Sequence, residues 1–558
     1  MTDQKKSIIV IGGVAAGASA AAKARREDEQ AEVSVFEKGE YISFANCGLP
    51  YYVGDEIKNQ KALLLHTPES LKARFNLDVY VNQEVVEIQP EKHIVLTRDR
   101  LTGATGEKRY DKLIIATGAR PIVPPIEGIQ SSNVQLLRTV PEAEQLKKMV
   151  ESGQVKKAVV IGGGFIGLEA VENLHRQGVE VTLIEKADQV MTPFDKEMVT
   201  YIDDELRGMG VRMVMENGVQ KFITSGDQAV AVELENGEKV EADVFLLSIG
   251  VRPDVTLAQN AGVKLGASGA IEVNEYMETN VEDVYAAGDA VEMKHLASNQ
   301  TVWIPLAGPA NKQGRIAGAN AAGRRMSFKG AYGTSIVRVG KVVAGKTGLA
   351  EKECQRNNID YRVTYNFHGD HAGYYPGAEN MMIKLISEKD SGRILGVQIV
   401  GGNGVDKRVD VVATAIYGGM TVEDLESLDL AYAPPFGAAK DPIIMTGMNH
   451  SNSFRGEMDT ITPAELAAKL GDSNLQLVDV RNPNEWKAGT IEGAITIPLD
   501  DLRQNLDQLD PNKETVVYCR SGQRSYFGSC ILRNNGFKNL RNLTGGSLSW
   551  GIYQKSQS

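Results

Sequence analysis

The dominant pattern along the chain is an unbroken apolar run that stops at glycine and resumes as a small-residue, helix-like segment. KSIIVIGGVAAGASAAAKARR, from Lys6, reads as a buried strand, a glycine turn and an Ala-rich helix. AEVSVFEKG then reads as a second strand that ends in an acid, Glu37. The same order returns at KKAVVIGGGFIGLEAVENLHRQGVEVTLIEKA, whose second strand ends in Glu185. Strand, glycine turn, helix and acid-terminated strand form the opening of a dinucleotide-binding βαβ unit. Two such units about 150 residues apart predict two dinucleotides.

Further strands are predicted in YDKLIIATGARP and TNVEDVYAAGDAVE, which end in Thr-Gly and Gly-Asp turns. After about residue 330 strands and helices mix without a glycine fingerprint. GMNHSNSFRGEMDT reads as a polar connector, and beyond it LQLVDVRN, AITIPL and TVVYC alternate with helical stretches. The prediction is an α/β chain of several domains, closed by a small separate one.

The two glycine turns are unequal. Gly162, Gly164 and Gly167 occupy the full G-x-G-x-x-G spacing, with Phe165 opening the helix. The first copy has Gly12 and Gly17 but Val14 in the middle, where glycine normally lets a pyrophosphate approach the backbone. Neighbouring Gly13 is the residue expected to supply that freedom. Glu185 suits a ribose hydroxyl pair and repels a 2'-phosphate, so NADH is expected over NADPH; Lys186 softens the rejection and keeps NADPH a second candidate.

Composition narrows the partners. The chain has 558 residues, a net charge of -11 and a pI near 5.4, against a nucleic-acid surface. No apolar run approaches the roughly 20 residues of a membrane span, and the N-terminus lacks a secretory h-region. A cytoplasmic protein with reduced thiols is expected, because the four cysteines at 47, 354, 519 and 530 are too scattered for a disulfide framework. No metal is expected.

Two of those sulfurs stand in loop-like settings. Cys47 lies in SFANCGLPYY, where Pro50 suits a first helical turn. At a helix N-terminus the dipole favours thiolate over a thiol. The fifth residue beyond Cys47 is Tyr52, so the segment holds no C-x4-C pair, and a redox role for Cys47 would need an external sulfur or an oxygen as its second half. Cys519 opens CRSGQRS, with Arg524 closing a Cys-x4-Arg loop. Such a loop predicts backbone N–H groups ringing the sulfur. Cys354 and Cys530 are expected in the core.

These residues resemble the two-dinucleotide flavoprotein disulfide reductases over about residues 7 to 450, and a rhodanese domain from ITPAELAAKL onward. The resemblance implies two Rossmann-like domains, for FAD (1–118 with 250–327) and for NAD(P)H (119–249). It further implies an α+β dimerisation domain (328–450), a linker (451–460) and an α/β rhodanese domain (461–558). In this reading Gly12, Gly13, Gly17, Glu37, Lys38, Thr117, Gly118 and Asp289 hold FAD, while Gly162, Gly164, Phe165, Gly167 and Glu185 hold the nicotinamide nucleotide.

Single-cysteine members that reduce oxygen or peroxide carry a histidine in the first glycine turn; Ala15 stands there. The chain instead resembles the coenzyme A-disulfide reductases, whose cysteine forms a mixed disulfide with CoA. Tyr374 in HAGYYPGAEN and Tyr432 in LDLAYAPPFGAAKDP are the implied active-site phenols of a homodimer. For the CoA phosphates the candidate partners are Lys23 and Arg26, one turn apart, with Ser19, Ser43, Asn46, Arg74 and Lys440.

In the tail, LVDVRNPNEW supplies Asp479, Arg481 and Glu485, and Thr490 replaces a histidine common in rhodaneses. Cys519 is then expected to carry sulfane sulfur between an unidentified donor and CoA, feeding CoA persulfide or polysulfide to Cys47. A flexible 14-residue connector would span about 20 Å. The alternatives are an NADH oxidase or peroxidase working through a Cys47 sulfenic acid, and a redox-sensing or docking flavoprotein.

Overall fold

Strands whose residues are apolar on both faces pair in parallel beneath helices, and the two βαβ fingerprints each build such a sheet. The computed structural model describes residues 5–557. In the first sheet β1 (Ser7–Ile11), β2 (Glu32–Phe36), β3 (Asp78–Tyr80) and β4 (Lys112–Ile115) join the later strand Val284–Ala286. The order is Val284–Ala286, β4, β1, β2, β3, all parallel. Helix α1 (Ala15–Glu27) follows β1, and its Ala/Gly surface permits a very close neighbour. A Cβ on Gly314 would lie 2.1 Å from the Ala16 carbonyl oxygen, and one on Gly318 equally close to that of Ala20.

The second sheet repeats the design with β5 (Val134–Gln135), β6 (Lys157–Ile161), β7 (Glu180–Ile184), β8 (Arg212–Val214) and β9 (Val244–Leu247). Its order is β8, β7, β6, β9, β5, again all parallel.

The chain divides into two compact units, one running to Val190 and resuming over Arg207–Gly333, the other taking Met191–Leu206 and everything described from Thr334. In the second unit β10 (Ser335–Val339), β11 (Val342–Gly348), β12 (Tyr361–Gly369), β13 (Asn380–Glu388) and β14 (Ile394–Gly401) form an antiparallel sheet, in the order β10, β11, β14, β13, β12. The tail builds a parallel sheet from β15 (Asp459–Ile461), β16 (Leu475–Asp479), β17 (Ala494–Thr496), β18 (Glu514–Tyr518) and β19 (Leu540–Leu543), in the order β15, β19, β18, β16, β17. The overall class is therefore α/β with an antiparallel insert, as expected.

The expected flexible connector is a correction. Most of it lies in a helix, Pro442–Phe454, and β15 begins at Asp459. Several of its polar residues are buried rather than solvated: His450 and Ser451 are 0 % exposed, and the His450 ring meets Ser387 Oγ at 2.7 Å. Composition misleads here because neighbouring strands supply the polar partners. Nor does the tail swing free of the antiparallel sheet. Tyr365 N on β12 donates to Thr544 Oγ1 at 2.8 Å, and that hydroxyl lies 3.3 Å from Tyr365 O.

The same unit encloses a charge cluster. Lys384 is fully buried, with its ammonium 2.8 Å from Asp195, 2.5 Å from Glu197 and 2.6 Å from Glu351. Lys384 is the cation these three carboxylates hold.

Candidate active sites

Both glycine turns use one hydrogen-bond scheme. Gly12 has φ +93°, and a Cβ on Gly17 would sit 1.8 Å from the Gly12 carbonyl oxygen. Gly162 has φ +106°, and Gly167 meets Gly162 in the same way at 1.9 Å. These four positions exclude any side chain. Glu37 accepts from Gly13 N at 2.8 Å and Gly39 N at 2.7 Å; Glu185 accepts from Gly163 N at 2.6 Å and Ala187 N at 2.8 Å. Each acid thus closes over the mouth of its own turn.

The middle position differs in kind. Gly164 has φ −80°, and a Cβ there would meet nothing within 4 Å. Val14 occupies the matching place at φ −94°. Protein packing demands no glycine at Gly164, so the customary residue there answers to a ligand's approach and not to the fold. Gly13 also packs closely within the fold, since a Cβ there would lie 2.7 Å from the Ile42 side chain. A glycine turn at a helix start, faced by a carboxylate, fits a dinucleotide in both copies, and Gly164 adds open space in the second.

Thr117 Oγ1 donates to Asp254 O at 2.6 Å, and Gly118 takes φ +70° as the chain crosses to the second sheet. Lys38 pairs with Asp254 at 3.2 Å, and Lys186 with Glu235 at 2.7 Å, so both lysines are engaged within the protein. Asp289 is half-buried, and desolvation pushes its carboxyl up, opposed by Arg138.

Cys47 lies in a single 3-10 turn, Asn46–Gly48, ahead of the short helix α2 (Leu49–Val53). The segment is stitched to the first glycine turn: Ser43 N donates to Gly13 O at 2.8 Å, with Ser43 buried at φ +50°. Asn46 Nδ2 reaches Arg138 O at 3.5 Å. The thiol is open to solvent yet ringed by protein atoms. That partial desolvation pushes it up, and the carboxylates of Glu169 and Asp289 push it further. The expected lowering by a helix dipole is therefore reversed. α2 is only five residues long, too short a dipole to outweigh that desolvation and two negative charges.

Lys23 is buried with its ammonium on Glu27, which also receives Arg324 at 3.3 Å, and Ser19 bonds Asn311 at 2.7 Å. Arg26, Arg74 and Lys440 are exposed.

Tyr374 and Tyr432 do meet. Their loops are joined by Ala372 N donating to Gly437 O at 3.0 Å, and both are anchored by Arg408 on helix α3 (Val405–Tyr417). Arg408 is 1 % exposed and donates to Asp370 O at 2.7 Å and Asp441 Oδ2 at 2.8 Å. Nothing in the sequence singled it out.

Cys519 follows β18 and is buried under its loop. Its sulfur accepts from Gly522 N at 3.2 Å and Ser525 Oγ at 3.5 Å. Gly522 N is a backbone donor of the kind expected there, and the Ser525 hydroxyl adds a second contact. Arg524 binds Glu485 in a two-pronged pair at 2.6 and 2.7 Å, and those bonds hold the Glu485 carboxyl down at about 2. Arg481 pairs with Asp479 at 2.7 Å. Cys354 is in the core, pushed up to about 12 by burial. Cys530 is only half-buried, a departure from the core position expected for it.

Residues 6–322 match the pyridine nucleotide-disulphide oxidoreductase family, residues 334–441 its dimerisation domain, and residues 462–552 the rhodanese-like domain. A relative from Pyrococcus horikoshii, an NAD(P)H coenzyme A polysulfide/persulfide reductase, is 35% identical over 79% of this chain and 98% of its own. The coenzyme A disulfide reductase of Staphylococcus haemolyticus is 32% identical over 79% and 98%. The solved structure of reduced Bacillus anthracis CoADR-RHD covers 99% of each chain at 43% identity, with a TM-score of 0.96.

Proposed function

Since the chain belongs to the pyridine nucleotide-disulphide oxidoreductase family and carries a rhodanese-like domain, we propose that it is an FAD-dependent NAD(P)H reductase of CoA disulfide and CoA persulfide or polysulfide. The observation that carries this reading is Cys47: a solvent-open thiol beside Asp289 and stitched to the Gly12–Gly13 turn, with no second cysteine in its segment. Gly12, Gly13, Gly17, Glu37, Thr117, Gly118 and Asp289 would hold FAD, and Gly162, Gly164, Phe165, Gly167 and Glu185 the nicotinamide nucleotide. When bound, the two cofactors supply the electron pair delivered to Cys47.

With CoA disulfide, the Cys47 sulfur attacks one sulfur of the substrate. A Cys47–S–S–CoA bond forms, the substrate S–S bond breaks, and the first CoA leaves as thiolate with that bond's electrons. The supplied pair then cleaves the mixed disulfide, regenerating Cys47 and freeing the second CoA. With CoA persulfide, Cys47 attacks the terminal sulfur and CoA leaves as thiolate. The Cys47 persulfide is then reduced to the free cysteine and hydrosulfide. Tyr374 and Tyr432 of a second copy in a homodimer would donate the proton each departing thiolate takes up. Cys519 would hold sulfane sulfur as a persulfide, steadied by Gly522 N and Ser525 Oγ, and pass it to CoA.

The test compares NADH consumption and sulfide release for wild type, Cys47→Ser and Cys519→Ser. Cys47→Ser should lose both substrates, and Cys519→Ser should keep CoA-disulfide turnover while losing sulfane transfer. NADH oxidation stoichiometric with oxygen and indifferent to CoA disulfide would replace this reading with an oxidase.

A further inference from the structure

Behind the Cys519 loop lies a cavity of about 30 Å³, walled on one side by Ser521, Gly522 and Asn542 and on the other by Thr364, Asn449 and Asn452. The first group belongs to the rhodanese-like fold. The second belongs to β12 and the helix at Pro442–Phe454, so the cavity is the seam of the two folds. Thr364 is 2 % exposed, and its Oγ1 has no hydrogen-bond partner. A buried hydroxyl left unbonded is costly. A polar cavity needs only roughly 10–15 Å³ and two to four polar partners to hold a water.

The other wall explains what such a water would do. Ser525 has one hydroxyl proton and three acceptors around it: Asn542 Oδ1 at 2.7 Å, Gly522 O at 2.9 Å and Cys519 Sγ at 3.5 Å. Ser525 is 0 % exposed and Asn542 8 %. When Cys519 carries negative charge, the strongest use of that proton is toward sulfur. Turning it there strips Asn542 Oδ1 of its donor in a buried site.

We propose that the cavity is a hydration site, and that a water held by Thr364 and Asn542 takes over Asn542 and so frees Ser525 to bond the Cys519 anion. Thr364 is then a positioning residue for sulfur chemistry in the neighbouring fold, and a detached rhodanese-like module lacks it. This inference rests on Cys519 as the sulfane carrier.

The test uses the full chain with thiosulfate and cyanide. Cys519 takes the sulfane sulfur as sulfite leaves with the bonding pair, and cyanide then removes that sulfur as thiocyanate. Thr364→Val, which keeps shape and loses the hydroxyl, should slow thiocyanate formation about tenfold and move its pH profile upward. Thr364→Ser should restore both. In a Ser525→Ala background Thr364→Val should cost nothing more. CoA-disulfide-dependent NADH oxidation should stay at the wild-type rate in Thr364→Val, reporting an intact fold. Wild-type turnover in Thr364→Val, equal loss in Thr364→Ser, or a crystal structure with a dry cavity would each overturn the proposal. Should the wild type make no thiocyanate, the carrier reading fails; the rate of Cys519 alkylation by iodoacetamide, read in a Cys47→Ser background, still judges Thr364 by the same comparison.

Discussion

The hydroxyls of Tyr374 and Tyr432 lie 2.8 Å apart at the tips of two loops, and the buried guanidinium of Arg408 grips the base of each. The hydrogen bond with Tyr432 pushes the Tyr374 phenol above its ordinary range. Both rings are solvent-facing, at 76 % and 47 % exposure, although each is a large aromatic. Exposed aromatics on anchored loops suit a surface that meets a second copy of the chain.

A paired loss of these phenols should act on turnover rather than on cofactor reduction. The Tyr374→Phe, Tyr432→Phe double variant should lower kcat with CoA disulfide by about 10²-fold, the usual size of a general-acid contribution. Rapid-mixing reduction of the flavin by NADH should be unchanged. Equal losses in both phases would assign the pair to folding.

The two carboxylates that disfavour the Cys47 anion make a second prediction. Glu169→Gln removes one negative charge near the thiol without changing its shape. Because that charge pushes the thiol up, its loss should lower the pH at which Cys47 is alkylated. Iodoacetamide labelling of residue 47 at pH 7 should therefore be faster in the variant than in wild type.

Much of this site could be read in advance, and the parts that could not share a cause. Gly12, Gly17, Gly162 and Gly167 are legible because each faces a backbone atom that forbids a side chain, a constraint local enough to show as spacing. Val14 read as a flaw because the glycine customary there answers to the ligand and not to the fold. Arg408, Glu169 and Ser525 depend on which distant segments come together, and charge or polarity along the chain does not disclose that. The stretch from Gly447 to Thr460 misled most, since its asparagines and histidine resemble solvent-seeking residues until Ser387 and Asn366 are set against them.

Lys384 provides a test of stability. Burial pushes Asp195 up, yet the charge and hydrogen bond of Lys384 bring it down to about 2. Lys384→Met would leave Asp195, Glu197 and Glu351 without their cation, a change expected to cost about 3–5 kcal/mol. A large drop in Tm at pH 7 should result, with part of the loss recovered at pH 5 as the carboxylates take up protons. A variant as stable as wild type at pH 7 would show that the cluster is neutral in the folding balance.

His450 sets an acid limit on the same unit. Its burial, assisted by Arg362, lowers the imidazole from 6.5 to about 3. The unfolded chain therefore takes up a proton below pH 6.5 that the folded chain refuses. Stability from the neutral ring is complete above pH 6.5 and drains away as pH falls toward 3. Thermal melts of His450→Gln should accordingly decline less steeply than wild type between pH 6.5 and 4.

The exchange between Tyr365 and Thr544 bears on any attempt to separate the two halves of the second unit. A chain cut after the helix at Pro442–Phe454 would present a raw strand edge and several dehydrated polar groups to bulk water. The tail is less a passenger than a keystone, and trimming it would injure the piece left behind as well as the piece removed.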